Sequence, residues 1–115
     1  MLYYRDKVMK EQVLIEEFEK KIHEIKQSLL NIGPMRPGTI SKQFKDPKSK
    51  SGAYYQLNYT HKMKTRTEYV RKTNLELLTI ETEEYQRFKG LVDDWIALSI
   101  EGSKLRIKER NSKSK

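Results

Sequence analysis

Two long stretches with helical apolar spacing, separated by a loop rich in proline and glycine and by a short tract of alternating tyrosines, predict an α+β fold. The expected order is a long helix, a basic β-hairpin and a second long helix, with the two helices paired antiparallel. At 115 residues the chain fits one domain, read here as residues 1–110. Such a domain buries about two thirds of the surface that its unfolded chain exposes. Charged residues (35%) nearly equal hydrophobic ones (36%), the balance expected of long helices whose apolar residues form a single stripe rather than of a rounded core.

The first helix is expected over residues 3–32. Val8, Ile15, Phe18, Ile22, Ile25, Leu29 and Ile32 recur at alternating spacings of three and four, a coiled-coil-like seam interrupted only by Glu11. Gly33-Pro34 ends it, because proline disfavours a helical residue before it and glycine suits the position just past a helix. Residues 33–53 hold all three prolines, three glycines and a run of lysine and serine, and read as loop. Over 54–71, Tyr55, Leu57 and Tyr59 alternate with Tyr54, Gln56 and Asn58, as in a strand with one covered face. His61-Lys62-Met63-Lys64 interrupts the pattern and Thr65–Val70 resumes it, so the segment is a hairpin whose basic turn lacks the usual glycine or asparagine.

Thr73, with Glu76 three residues on, is the expected N-cap of a second helix over 74–110. Its seam runs Phe88, Leu91, Trp95, Leu98, Gly102 and Leu105, and Ser99 with Gly102 leaves room for a close neighbour. Residues 111–115 are expected to be a disordered tail. Met9, Leu14 and Leu30 on the first helix, and Ile80, Val92, Ile96 and Ile100 on the second, fall outside the mutual seam. Left uncovered they would make a large apolar patch, so a homodimer is expected.

No cysteine is present, which removes disulfides, thiolate metal sites and cysteine nucleophiles. His23 and His61 have no companions at metal-ligand spacing. Asp93-Asp94 and Glu81, Glu83 and Glu84 read as solvated helix faces, and neither a phosphate-binding glycine loop nor a serine triad occurs. The chain is therefore expected to be no enzyme and to need no cofactor. It has neither a signal-like start nor a membrane-length apolar run, and a cytoplasmic protein without a membrane role is expected.

Charge is distributed unevenly. Residues 35–74 carry ten basic side chains against Asp46 and Glu68, a net of +8, which equals the net charge of the whole chain. A surface that neutralises phosphates gains affinity from released counterions, so this segment points to nucleic acid, with DNA preferred to RNA. The candidate contacts are Arg36, Lys42, Tyr54, Lys62, Lys64, Arg66, Arg71 and Lys72, with a base stacking on Tyr54 and the cations on phosphates. Tyr55, Leu57 and Tyr59 are assigned to packing. The competing class is a helical protein-interaction adaptor in which the lysines only keep the chain soluble.

Met35-Arg36-Pro37-Gly38-Thr39-Ile40-Ser41-Lys42-Gln43-Phe44 and Gly52-Ala53-Tyr54-Tyr55-Gln56-Leu57-Asn58-Tyr59-Thr60-His61-Lys62 resemble a family of uncharacterised small bacterial and archaeal proteins. The likeness continues through Tyr69-Val70-Arg71-Lys72 and Tyr85-Gln86-Arg87-Phe88-Lys89 to about residue 105. That family is a domain of unknown function often found near transposases, which implies an accessory role in a mobile genetic element. Its members commonly carry a cysteine-rich insert after the Gln-aromatic pair. Here Gln43-Phe44 runs directly into Lys45-Asp46-Pro47, so no metal role carries over, and Met63 stands where the hairpin turn usually has glycine. Both departures mark a divergent or reduced member.

Overall fold

The computed structural model describes residues 2–113, and the side chains from residue 9 to residue 113. The elements follow the order α1 (Leu2–Leu30), β1 (Thr39–Asp46), β2 (Ser51–His61), β3 (Lys64–Val70) and α2 (Lys72–Lys113). The class is α+β, as the periodicities require. Over the span read as one domain, contacts gather into two compact units, Met1–Asn31 with Lys89–Lys115 and Ile32–Phe88.

In the first unit α1 lies against the C-terminal half of α2. Glu11 meets Lys108 at 3.8 Å, a Cβ on Gly102 would sit 4.0 Å from that of Phe18, and Lys26 lies 5.2 Å from the Trp95 ring centre. Residue numbers fall on one helix as they rise on the other, so the pairing is antiparallel. Ile15 is buried and Phe18, Ile22, Ile25 and Leu29 are half-buried, which is the expected seam. The Val8 side chain, read as the first seam position, lies outside the described residues. Gly102 is buried, so its missing side chain permits the close approach of the two helices.

The second unit is a three-stranded antiparallel meander, β1-β2-β3, followed by the N-terminal half of α2. The stretch read as loop over 33–53 therefore contains a strand and the first residues of β2. Thr39–Phe44 does alternate, with Ile40, Lys42 and Phe44 on one side and Thr39, Ser41 and Gln43 on the other, but the surrounding prolines, glycines and lysines mask the pattern. The sheet is built on Leu57, which is fully buried in the central strand opposite Ile40 and Glu68. Gly38 is what lets the chain reach β1. At φ 137° its position is nearly closed to side chains, and a Cβ there would stand 2.7 Å from Leu57 Cδ1 and 2.9 Å from the Asn58 carbonyl oxygen.

The end of α1 is held by Asn31 N–H donating to the Ser28 carbonyl, and within the second unit Gly33 N–H donates to Glu84 Oε2 at 3.2 Å. Arg36 N–H reaches the Glu81 carbonyl at 3.0 Å, tying the segment before β1 to α2. Helix α2 starts two residues earlier than expected, so Thr73 lies inside its first turn. The turn closes through Asn74 N–H donating to the Arg71 carbonyl, not through a threonine cap. It also continues to Lys113, so residues 111–113 are helical where a tail was expected, and residues 114 and 115 lie outside the described residues. Arg110 and Lys113 in the last turn favour that extension by opposing the partial negative charge of the helix end.

Candidate nucleic-acid interface

Strand register decides which side chains share a face, because paired residues in an antiparallel ladder point the same way. The rows Ile40–Leu57–Glu68, Lys42–Tyr55–Val70 and Tyr59–Arg66 belong to the face that buries Leu57 and Val70, called here the inner face. The outer face carries Thr39–Asn58–Thr67, Ser41–Gln56–Tyr69, Gln43–Tyr54 and Thr60–Thr65. Tyr55, Leu57 and Tyr59 thus turn inward, as the alternation implied, and Tyr54 turns outward.

The expected contacts do not form one cluster. Arg36 is engaged on the inner side, where its Nη2 donates to Glu68 Oε2 at 2.6 Å and its guanidinium lies 4.9 Å from the Tyr59 ring centre. Tyr59 Oη donates to Glu68 Oε1 at 3.1 Å. These donors, Arg36 foremost, hold the Glu68 carboxyl below the ordinary carboxylate range, and Glu68 in turn raises the Arg36 guanidinium. Lys42 is exposed and sits 5.5 Å from the Phe44 ring centre on the β1 edge. Arg71 and Lys72 are exposed at the junction of β3 and α2.

Lys62, Lys64 and Arg66 are the three that the fold groups. The first residue of β1, Thr39, pairs with Asn58, so the β2–β3 hairpin beyond that point has no third strand beside it. From Tyr59 to Arg66 it continues as a two-stranded ribbon, and all three cations on it are exposed. The ribbon ends in a two-residue turn with φ 51° at Lys62 and 65° at Met63, the signature of a type I′ turn. A right-handed ribbon twist demands that turn geometry, and here residues with side chains adopt it. Met63 is 98% exposed.

At the opposite end of the sheet lie Lys45, near the end of β1, and Lys48 and Lys50 in the β1–β2 turn. Asp46 Oδ1 accepts from the Lys48 N–H at 3.1 Å and the Ser49 N–H at 3.4 Å, which fixes that turn. A concavity lined by Phe44, Lys45, Gly52, Ala53, Tyr54 and Tyr69 opens beside it. Lys45 and Tyr69 also belong to this surface, though the sequence does not single them out as contacts. Their association depends on register across three strands, which no local pattern displays. Among the described residues no group of three or more histidine or acidic side chains converges as a metal site.

No helix among the described residues is long and apolar enough to cross a membrane. An antiparallel sheet with lysine-bearing ends, attached to a long helix, defines a small α+β protein with a basic sheet unit. The chain belongs to the family described as domain of unknown function DUF6788, whose model matches residues 15–79 and so takes in most of α1, the whole sheet and the start of α2. No curated protein and no solved structure matches the chain.

Proposed function

We propose that this protein is a non-catalytic nucleic-acid-binding module whose contact surface is the basic sheet unit. The observation that carries the reading is the projecting ribbon of residues 59–66, which presents Lys62, Lys64 and Arg66 to solvent with no carboxylate in that stretch. Of the two acids in residues 35–74, Glu68 is satisfied by Arg36 and Tyr59, and Asp46 by backbone N–H groups of its own turn. Arg36 is paired with Glu68, and among the described residues the exposed Lys62 and Lys64 have no carboxylate against them. DNA is the preferred partner. An accessory role in a mobile genetic element rests on the resemblance carried by Met35–Phe44 and Gly52–Lys62.

The helical unit supports a second component, a homodimer. Met9 (65%), Val13 (52%), Leu14 (43%), Ile96 (53%) and Ile100 (51%) are more exposed than apolar side chains of a folded monomer ordinarily are, and they lie on both helices. Pairing of two copies through these residues would cover them and set two basic sheet units on one assembly. Sedimentation equilibrium at micromolar concentration tests this: twice the 13.7 kDa chain mass is expected, and a stable monomer mass rules it out.

The direct test of nucleic-acid binding is a gel-shift survey of unrelated DNA and RNA fragments at 50 and 200 mM salt. Phosphate contacts give binding to many sequences that falls steeply with salt. No shift on any probe, or binding indifferent to salt, would favour the helical adaptor instead.

A further inference from the structure

We infer that the outer face of the sheet is a platform for single-stranded nucleic acid, with bases stacked on Tyr54 and Tyr69 and the backbone held by Lys45. The inference rests on the nucleic-acid reading above and narrows it to a strand type and a site.

Consider first what the outer face lacks. None of its residues in the three strands is acidic, and both carboxylates of the sheet segment are engaged elsewhere, Glu68 on the inner face and Asp46 within its turn. A polyanion laid on this face meets no opposing charge and finds lysines at either end, Lys45, Lys48 and Lys50 at one and Lys62 of the β2–β3 turn at the other. That charge complementarity selects an anionic strand as the occupant.

What the face offers fits bases. Tyr54 and Tyr69 line the same concavity as Lys45, and Tyr69 is 69% exposed. Gly52 keeps the concavity open, since at φ 69° it is a position that favours glycine, and a Cβ there would come within 3.0 Å of Lys45 Cβ. Beside the tyrosines a hydrogen-bonded ladder fixes the surface. Thr67 Oγ1 donates to Asn58 Oδ1 at 2.8 Å, Asn58 Nδ2 to Ser41 Oγ at 3.2 Å, and Gln43 Nε2 to the same Ser41 oxygen at 3.3 Å. These bonds hold the polar side chains beside the rings in place, and stacking on the rings tolerates many sequences because every base has a π-face.

Width argues against a duplex at this site. Three strands about 4.8 Å apart put the outer strand axes roughly 10 Å from each other before side chains are added. A B-form major groove about 12 Å wide accepts a helix or a two-stranded ribbon, not this sheet. Unstacked bases can instead lie on the exposed Tyr69 ring and on the half-buried Tyr54 ring beside it.

The test is fluorescence anisotropy of the full chain with 5′-labelled dT12, rU12 and a 12-base-pair duplex. Single strands are expected to bind at least fivefold more tightly than the duplex, and the two strand types show whether the sugar matters. Tyr69→Ala and Tyr54→Ala should each weaken single-strand binding about 5- to 150-fold while changing duplex binding little. Tyr69→Phe and Tyr54→Phe, which keep the ring, should stay within about threefold, and circular dichroism melts check that each variant folds. Failure of every probe to bind overturns both readings. Duplex bound as well as single strands, or alanine variants that bind single strands normally, overturns this inference alone, and loss with phenylalanine equal to loss with alanine overturns the stacking contact.

Discussion

Arg36 and Glu68, 32 residues apart, form an ion pair with Nη2 2.6 Å from Oε2, joining the segment before β1 to the outer strand β3. The pair stands at the mouth of the inner face, with side chains 31% and 47% exposed, so solvent screens it and its contribution is about 0.2–1 kcal/mol. Its orienting effect is larger, because it commits a cation of the basic segment to the fold.

A pH dependence follows from the lowered Glu68 carboxyl. A group whose folded value lies below its unfolded one, ordinarily 4.5 here, stabilises the fold fully above that value and loses the contribution as pH falls through the folded one. Glu68→Gln is expected to lower the melting temperature by a few degrees at pH 7 and to narrow its gap from the wild type by pH 3. Thermal melts at the two pH values read this directly, and a gap that widens on acidification would show that Glu68 does not act through its charge.

The β2–β3 turn carries an avoidable strain. Non-glycine residues in the left-handed region cost about 1 kcal/mol each, and Lys62 and Met63 both occupy it. Replacing them by asparagine and glycine is expected to raise stability by about 1–2 kcal/mol in urea unfolding, since the type I′ turn favours that pair. Met63 is almost wholly exposed, so no packing is lost.

Glu11 is a charge on an apolar seam. It is 4% exposed, Lys108 Nζ stands 3.8 Å away, and neither carboxylate oxygen has a hydrogen-bond partner among the described residues. Burial of a carboxylate so weakly compensated costs more than the long ion pair returns. Glu11→Leu is expected to stabilise the helical pair by about 1–3 kcal/mol, measured by urea unfolding. A loss of stability would mean that Lys108, or a partner chain, satisfies Glu11 more fully than the 3.8 Å contact suggests.

The parts of the fold legible from sequence are those whose signal is local. The spacing of Ile15, Phe18, Ile22 and Ile25 marks the helical seam, and Tyr55, Leu57 and Tyr59 mark the inner face of β2, because one period over four or five residues suffices. Strand β1 was hidden because the alternation of Ile40, Lys42 and Phe44 lies between Pro37-Gly38 and the lysine-rich turn, and its worth comes from pairing with β2. The turn type was hidden because Lys62-Met63 carries none of the residues that normally announce a left-handed pair. For the candidate site, the cations of the ribbon were legible as composition. The grouping of Tyr54 with Tyr69 and Lys45, and the commitment of Arg36 to Glu68, were not, since both depend on three-strand register.

The most direct test of nucleic-acid binding through the sheet unit is the salt dependence of affinity after Lys62, Lys64 and Arg66 are replaced together by glutamine. These exposed residues lie on the projecting ribbon, so the variant should fold normally while binding unrelated nucleic-acid sequences more weakly. The slope of log affinity against log salt is expected to flatten by about 2–3, close to one for each lost phosphate contact. An unchanged affinity and slope would contradict the assignment and take the ribbon out of the binding surface.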